Sequence, residues 1–301
     1  MAHPRMFYFI LNTYQQKLYR KLLKELSQYT SHYKIYLTDN IPQLHHLFAH
    51  LKEKLKAQDV IVAVGGDGTL NQIITQVRNH QIVNDIAILP AGTGNDFARS
   101  NHLPLNFDEA LIYLFEEAQS TSKDLLQITG PQQQYYAVNS MGVGLDGRII
   151  HQIASRRVSQ KIYAHSYSQA IIGSFLKQKR FKLTLHLAAG DQIFEGAQLF
   201  TLGTNKYFGG GIPILTHADN EDGLLDLIIG HHVNFSRLLT ILAKLLWKGA
   251  IPKSPHLWEQ RLDAVKFSID DTQFAQYDGE PFTIYPEEKW QVTLLKQNYW
   301  I

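Results

Sequence analysis

The segment that most limits the fold is a run of five apolar residues, Val60-Ile61-Val62-Ala63-Val64, that ends directly in Gly65-Gly66-Asp67-Gly68-Thr69. A run with no polar alternation and a β-branched majority suits a strand buried on both faces, inside a parallel sheet covered by helices. The glycines turn the chain, and the apolar spacing from Leu70 to Val77 is helical. Strand, glycine turn and helix N-terminus together make an anion site. Glycine lets the backbone come close, the first helical amides lack intrahelical partners, and the helix dipole favours negative charge. Thr69 could cap the helix or donate its hydroxyl to an anion.

The pattern returns at Ile86-Ala87-Ile88-Leu89-Pro90, followed by Ala91-Gly92-Thr93-Gly94-Asn95-Asp96 and a helical Phe97-Ala98-Arg99. Two such loops at the carboxyl ends of two parallel strands would open on one crevice. A carboxylate beside a bound phosphate repels it, so Asp67 is expected to hold Mg²⁺ or to orient a reacting hydroxyl. The loops are not the usual P-loop, since no G-x-x-x-x-G-K-[ST] occurs. A G-x-G-x-x-G does occur at Gly142-Val143-Gly144-Leu145-Asp146-Gly147, but the stretch from Arg148 to Gly190 holds no acid to meet a ribose. That segment reads as a turn and packing element.

Elsewhere in the first third, strand patterns at Phe7–Leu11 and Lys34–Leu37 alternate with helix patterns at Lys17–Tyr29 and Ile41–Ala57. After about Asp124 short strand-like pieces dominate: Tyr135–Asn139, Lys182–Leu187, Gln198–Thr201 and Leu225–Ile229. Helix patterns interrupt them at Arg148–Ile153 and Phe235–Trp247. The fold class is therefore an N-terminal α/β domain with a parallel sheet, followed by a C-terminal antiparallel β-rich domain. The expected division is 1–125 and 126–287, with a tail from about 288 to 301 that could pack back on the first domain.

With 301 residues, 45% of them apolar and 19% charged, the chain has ample core material. Its formal net charge of +2 excludes a binder driven by attraction to nucleic acid phosphates. The absence of Cys removes disulfides, thiolate metal sites and Cys nucleophiles, and fits a reducing cytoplasm. The apolar run Met6–Leu11 is too short for a signal-peptide core, and no stretch approaches the roughly 20 apolar residues that span a bilayer. Among the fourteen His, His46 and His50 are four apart with no Glu between them, and His231-His232 is a bare pair; all read as surface or packing residues.

Gly65 to Asn71 and Leu89 to Arg99 resemble the two hallmark motifs of the diacylglycerol kinase catalytic-domain family, which includes bacterial lipid kinases and sphingosine kinases. Asn139 with Gly142 and Gly144, Gly209-Gly210-Gly211-Ile212-Pro213 with Ala218 and Asp222-Gly223, and Asp278-Gly279-Glu280 resemble its later motifs, in the family's order. The resemblance implies a C-terminal β-sandwich, with ATP in the cleft and Mg²⁺ as cofactor. It assigns nucleotide contacts to Asn12, Thr38, Gly65, Gly66, Asp67, Gly68, Thr69, Leu70, Asn71, Gln72, Thr93, Asn95 and Asp96. It departs at Thr13, where Pro is usual, and at Gln72, where Glu is frequent. Glu280 is implied as the proton acceptor with Asp278 beside it, and Asp67 joins them as a catalytic candidate. Asp222 is implied as a Mg²⁺ ligand, with the carbonyls of Asp219 and Leu224.

The implied reaction is transfer of the γ-phosphoryl group of ATP to a lipid hydroxyl, diacylglycerol being the default. An NAD kinase also carries a G-G-D-G loop and stays open as an alternative, as does a non-catalytic nucleotide- or lipid-binding regulator. From Arg148 to Gly190 stand eight cations, Arg148, Arg156, Arg157, Lys161, Lys177, Lys179, Arg180 and Lys182. Ile162, Tyr163, Tyr167, Ile171, Ile172 and Phe175 interleave with them. Leu238 to Trp247, with Arg237, Lys244 and Lys248, is a second amphipathic stretch. Cations beside apolar groups suit weak contact with an anionic membrane surface. The expected setting is the cytoplasm, with peripheral contact at the inner membrane face. A lipid is the expected partner, nucleic acid is not, and a homodimer stays open.

Overall fold

The computed structural model describes residues 4–157, 165–248 and 252–301. The chain forms two compact units, Met1–Lys123 with Lys296–Ile301, and Asp124–Leu295. The first begins β1 (Phe7–Asn12), α1 (Gln16–Tyr29), β2 (Tyr33–Thr38), α2 (Ile41–Lys52) and β3 (Val60–Gly65). It continues α3 (Asp67–Asn79), β4 (Asp85–Pro90), α4 (Asp96–Ser100) and α5 (Phe107–Glu116). The sheet order is β2-β1-β3-β4, every pair parallel. Chain order therefore reverses between β1 and β3, a topological switch point.

Residues Val60 to Val64 are each 0% exposed, as the unbroken apolar run requires. Alternate strand residues serve opposite faces. Phe7, Phe9, Leu11, Val60, Val62 and Val64 share a core with Leu22 and Leu26 of α1 and Leu111 and Leu114 of α5. Ile10, Ile61, Ala63, Ile86 and Ile88 face the other way, and are also buried. α2 ends at Lys52 rather than at the expected Ala57. Asp59 holds the following chain in a turn, accepting from the amides of Met6 at 3.1 Å and Lys56 at 2.9 Å. α3 begins three residues before the expected Leu70, because Gly66 is its N-cap.

The second unit opens with the end of β5 (Ser120–Thr129), then β6 (Gln134–Ala137), β7 (Ser140–Gly144), α6 (Leu145–Arg157), α7 (His165–Lys177), β8 (Phe181–Leu187) and β9 (Gly190–Gly203). Next come β10 (Tyr207–Phe208), β11 (Ile212–Pro213), β12 (Leu225–His231) and α8 (Phe235–Lys248). The chain closes with β13 (Leu257–Leu262), β14 (Ala264–Ile269), β15 (Gln273–Tyr277), β16 (Glu280–Ile284) and β17 (Trp290–Trp300). Strands run in the order β16-β15-β7-β9-β8-β14-β17, with β12 on β9 and β13 on β12. The pairings along this path are antiparallel. The core lies between strand faces, around Phe200, Phe267, Leu202 and Trp290. Leu145, Ile149, Ile171, Phe175 and Leu238 form a smaller cluster under α6, α7 and α8. The end of β17 belongs to the first unit, where Tyr299 pairs parallel with Ile86 and Trp300 Nε1 donates to Leu114 O at 3.0 Å.

Candidate functional site

In the first unit Asn12, Thr38, Gly65 and Pro90 end four adjacent parallel strands in register. The two glycine loops thus leave the same edge of the sheet, next to the switch point between β1 and β3. They touch backbone to backbone. A Cβ built on Gly92 would stand 2.5 Å from Gly66 Cα, and one on Gly66 would stand 3.0 Å from Gly92 Cα. Only glycine at both positions allows that approach. Gly65 makes room for the Thr69 side chain, whose Oγ1 would lie 2.3 Å from a Cβ there. Gly68 is different, since a Cβ there would meet no atom within 4 Å.

Asp67, expected to hold a metal or a hydroxyl, joins the two loops. Its Oδ2 accepts from Asp96 N at 3.0 Å and its Oδ1 from Phe97 N at 2.9 Å. The carboxylate of the first loop therefore caps the helix that follows the second. Asn95, in the left-handed region at φ 52°, closes the second loop on itself. Its Oδ1 accepts from Gly92 N and its Nδ2 donates to Gly92 O, both at 3.0 Å. Arg99 Nε adds a bond to Gly94 O at 2.9 Å. Asn95 and Asp96 are buried, as are Leu70 and Asn71 on the packed face of α3. These four residues shape the loops. Asn12, Thr38, Gly66, Gly68, Thr69, Gln72 and Thr93 keep partial or full exposure. The N-cap of α3 is Gly66, which brings no side chain of its own to that end of the helix, and a helix N-terminus favours an anion.

In the second unit, Asp278-Gly279-Glu280 joins β15 to β16. Asp278 sits at φ 45° and Gly279 at φ 85°, a turn with two left-handed residues. The Asp278 carboxylate accepts three amides, Val138 at 2.6 Å, Asn139 at 2.9 Å and Ser140 at 3.1 Å. It anchors the turn to the start of β7, which leaves Glu280 as the outward carboxylate. Glu280 is exposed. Tyr277 lies behind it, stacked on Tyr135 with ring centroids 4.6 Å apart. Burial, and next the Glu280 charge, push the Tyr277 phenol up to about 12. The phenol stays neutral at ordinary pH.

The residues implied for Mg²⁺ lie on a turn held by side chains. Asp222 Oδ2 pairs with the Arg261 guanidinium and its Oδ1 accepts from Leu224 N at 3.0 Å. Asp219 Oδ1 accepts from Glu221 N at 3.0 Å. Arg261 also reaches Asp226 at 3.3 Å, where burial pushes the carboxyl up and Arg261 opposes it. A divalent cation on Asp222 would share that carboxylate with a guanidinium. Among the described residues no three His, Asp or Glu side chains converge as a metal site. Arg261 carried no signal in the sequence, being one cation in an alternating strand.

The G-x-G-x-x-G segment is a packing element, with Gly142 and Gly144 inside β7 and a Cβ on Gly147 only 2.3 Å from Phe274 O. Of the basic stretches, Lys177, Lys179, Arg180, Arg237 and Lys244 are exposed. Ile172, Leu176, Phe235 and Leu239 on α7 and α8 are exposed apolar neighbours in sequence. Lys161, Ile162 and Tyr163, and the side chains of Arg156, Arg157, Tyr167, Trp247 and Lys248, lie outside the described residues. No helix among the described residues is long and apolar enough to cross a membrane.

Comparison with known proteins covers both units. Residues 8–128 match the family model described as diacylglycerol kinase catalytic domain. Residues 139–293 match that of the YegS C-terminal NAD kinase beta sandwich-like domain. A protein of Staphylococcus aureus strain Mu3, named "Putative lipid kinase", is 30% identical over 263 residues, 85% of this chain and 82% of that one. A protein of strain MRSA252, also named "Putative lipid kinase", is 28% identical over the same length and coverage. The solved structure of "A putative diacylglycerol kinase from Bacillus anthracis str. Sterne" superposes with a TM-score of 0.76 at 21% identity, covering 99% of this chain and 98% of that one. A second structure of that description gives 0.73 at 20% identity, covering 98% and 96%. At such identities the structural likeness speaks for the fold.

Proposed function

Since the chain belongs to the diacylglycerol kinase catalytic-domain family, we propose that it transfers the γ-phosphoryl group of ATP to the hydroxyl of a lipid, with diacylglycerol giving phosphatidic acid. One observation carries the nucleotide half of this reading. Two glycine loops meet at Gly66 and Gly92 on the carboxyl edge of a parallel sheet, at the glycine N-cap of α3. Such an edge offers amides to phosphates without a side chain in the way. The nucleotide enters as MgATP, so that magnesium arrives with the substrate.

In the second unit Glu280 is the exposed carboxylate on a fixed turn, and we assign it the proton acceptor's role. As the lipid oxygen bonds to the γ-phosphorus and the bond to the bridging oxygen of ADP breaks, Glu280 takes the hydroxyl proton. Asp278 is the weaker base, since three amides stabilise the charged form of its carboxylate. Its part is to hold the turn. No step passes through Asp222, which Arg261 engages. The exposed apolar residues of α7 and α8, with the cations beside them, support contact with an anionic lipid surface.

The test is incubation with radiolabelled ATP and a total lipid extract, followed by identification of the labelled product. A labelled lipid phosphate is expected. Labelled NADP from NAD, with no labelled lipid, would overturn the reading in favour of a small-molecule kinase.

A further inference from the structure

Asp146 takes no part in the site described above, yet it is tied to it. It is the second residue of α6, directly after β7. The residue keeps some exposure, but its carboxyl points into the fold. There Oδ2 accepts from Gln276 Nε2 at 2.9 Å and from Thr201 Oγ1 at 3.4 Å. Gln276 is 4% exposed and Thr201 0%. Gly142 makes the space, because a Cβ there would lie 1.9 Å from Asp146 Oδ2. Gln276 carries the contact onward. Its Oε1 accepts from Gly279 N at 2.9 Å, inside the turn between Asp278 and Glu280. A backbone amide can only donate, so this bond decides which end of the Gln276 amide faces Asp146. The Asp146 side must therefore present an acceptor.

We infer that Asp146 is a positioning residue for Glu280, holding the Gln276 amide in the orientation that fixes the Gly279 end of the turn. The inference rests on the lipid kinase reading for what Glu280 does, but the tie itself is a matter of hydrogen bonding alone. Asp278 fastens one side of the turn to the start of β7. Gln276 and Asp146 fasten the other. Without an acceptor at position 146 the Gln276 NH₂ would be left unsatisfied in a buried place, and it would turn or withdraw. The Gly279 amide would lose its partner, and Glu280 is the next residue. The position is an uncomfortable one for a carboxyl, since burial pushes it up while Gln276 and Thr201 pull it back. An oxygen acceptor is what the geometry demands, not a charge. Asparagine supplies the same acceptor with nearly the same shape.

The experiment compares Asp146→Asn, Asp146→Ala and Gln276→Met in the full chain labelled with ¹⁵N-glycine, the Gly279 amide being assigned by Gly279→Ala. In Asp146→Ala and Gln276→Met the Gly279 amide should exchange with water about tenfold faster or more, while Asp146→Asn matches the parent. In transfer to diacylglycerol, kcat should fall about tenfold to a hundredfold in the first two variants, as expected for a misplaced base. KM for ATP should stay within about twofold, and Asp146→Asn should restore kcat. An unchanged Gly279 amide in Asp146→Ala overturns the inference, and so does an Asn variant as impaired as the Ala one. Should Asp146→Ala fail to fold, Gln276→Met against Asp146→Asn makes the same comparison. If the protein phosphorylates no lipid, the amide measurement still decides the tie, so the two readings fail separately.

Discussion

Gly68→Ala separates what the glycines do for the fold from what they do for a ligand. Gly68 is the second residue of α3, and a methyl group there would touch no atom within 4 Å. Its φ lies outside the left-handed region, so alanine fits without strain. Replacing glycine at such a site stabilises a protein by about 0.4–1 kcal/mol, mainly by restricting the unfolded chain. For a unit of this size the melting temperature should rise by about 1–3 °C. Gly92→Ala should do the opposite. Its Cβ would lie 2.5 Å from Gly66 Cα, whereas carbon atoms rest at about 3.5–4.0 Å, so the loops must part by about 1 Å. Overpacking of that kind costs about 1–3 kcal/mol. If the open space over Gly68 is where phosphate sits on the helix amides, the same methyl that stabilises the free protein obstructs the ligand. The dissociation constant for ATP should then rise at least about tenfold, or ~1.4 kcal/mol. Scanning calorimetry and isothermal titration on one preparation give both numbers. A Gly68→Ala protein that melts higher and binds ATP like the parent would refute the phosphate site. One that melts lower would refute the geometry.

Asp67→Asn should lower both stability, by about 1–3 kcal/mol, and ATP affinity, because an amide cannot accept from both Asp96 and Phe97 without setting NH₂ against N–H; denaturant melts and titration read the two losses. Asp278→Ala strips the acceptor from three amides and should cost about 2–4 kcal/mol, measured in urea. Asp146 gives a pH signature. Its folded pKa lies above the ordinary 3.8, so the folded chain holds a proton that the unfolded chain releases, and the group's stabilising effect fades as pH rises through the folded value. Asparagine does not titrate. Asp146→Asn should therefore gain melting temperature relative to the parent from about pH 4 upward and level off above the folded pKa; a difference that is flat with pH contradicts it.

The parallel strands and glycine loops were legible in the sequence because their signals are local. Val60 to Val64 needs only its own side chains to declare a buried strand, and Gly66 stands next to the helix it starts. Long-range partnerships left no such mark. Asp67 read as a metal or hydroxyl ligand because a carboxylate in a phosphate loop is electrostatically odd. Its partners are amides 29 and 30 residues away, and amides have no sequence identity. Asp278 and Glu280 were both implied as catalytic candidates by the resemblance, whereas the turn sends one to the amides that lead into β7 and the other to solvent. The pairing of Asp222 with Arg261, 39 residues on, left no mark in the sequence either. α7 lies in a stretch whose charge was more conspicuous than its period. α5 was missed although Asn106 caps it, accepting from Asp108 N and Glu109 N, a cue of the kind that marks helix starts.

The central claim is that Glu280 accepts the lipid's proton on a turn the rest of the unit holds still. Its most direct test is single-turnover transfer from γ-labelled ATP to diacylglycerol in mixed micelles, comparing the parent with Glu280→Gln. Glu280 is exposed, so the substitution should leave melting temperature and ATP affinity unchanged. The rate of phosphatidic acid formation should fall about 10²- to 10⁴-fold, the usual contribution of a general base. A Glu280→Gln protein that forms phosphatidic acid at the parent's rate would contradict the account.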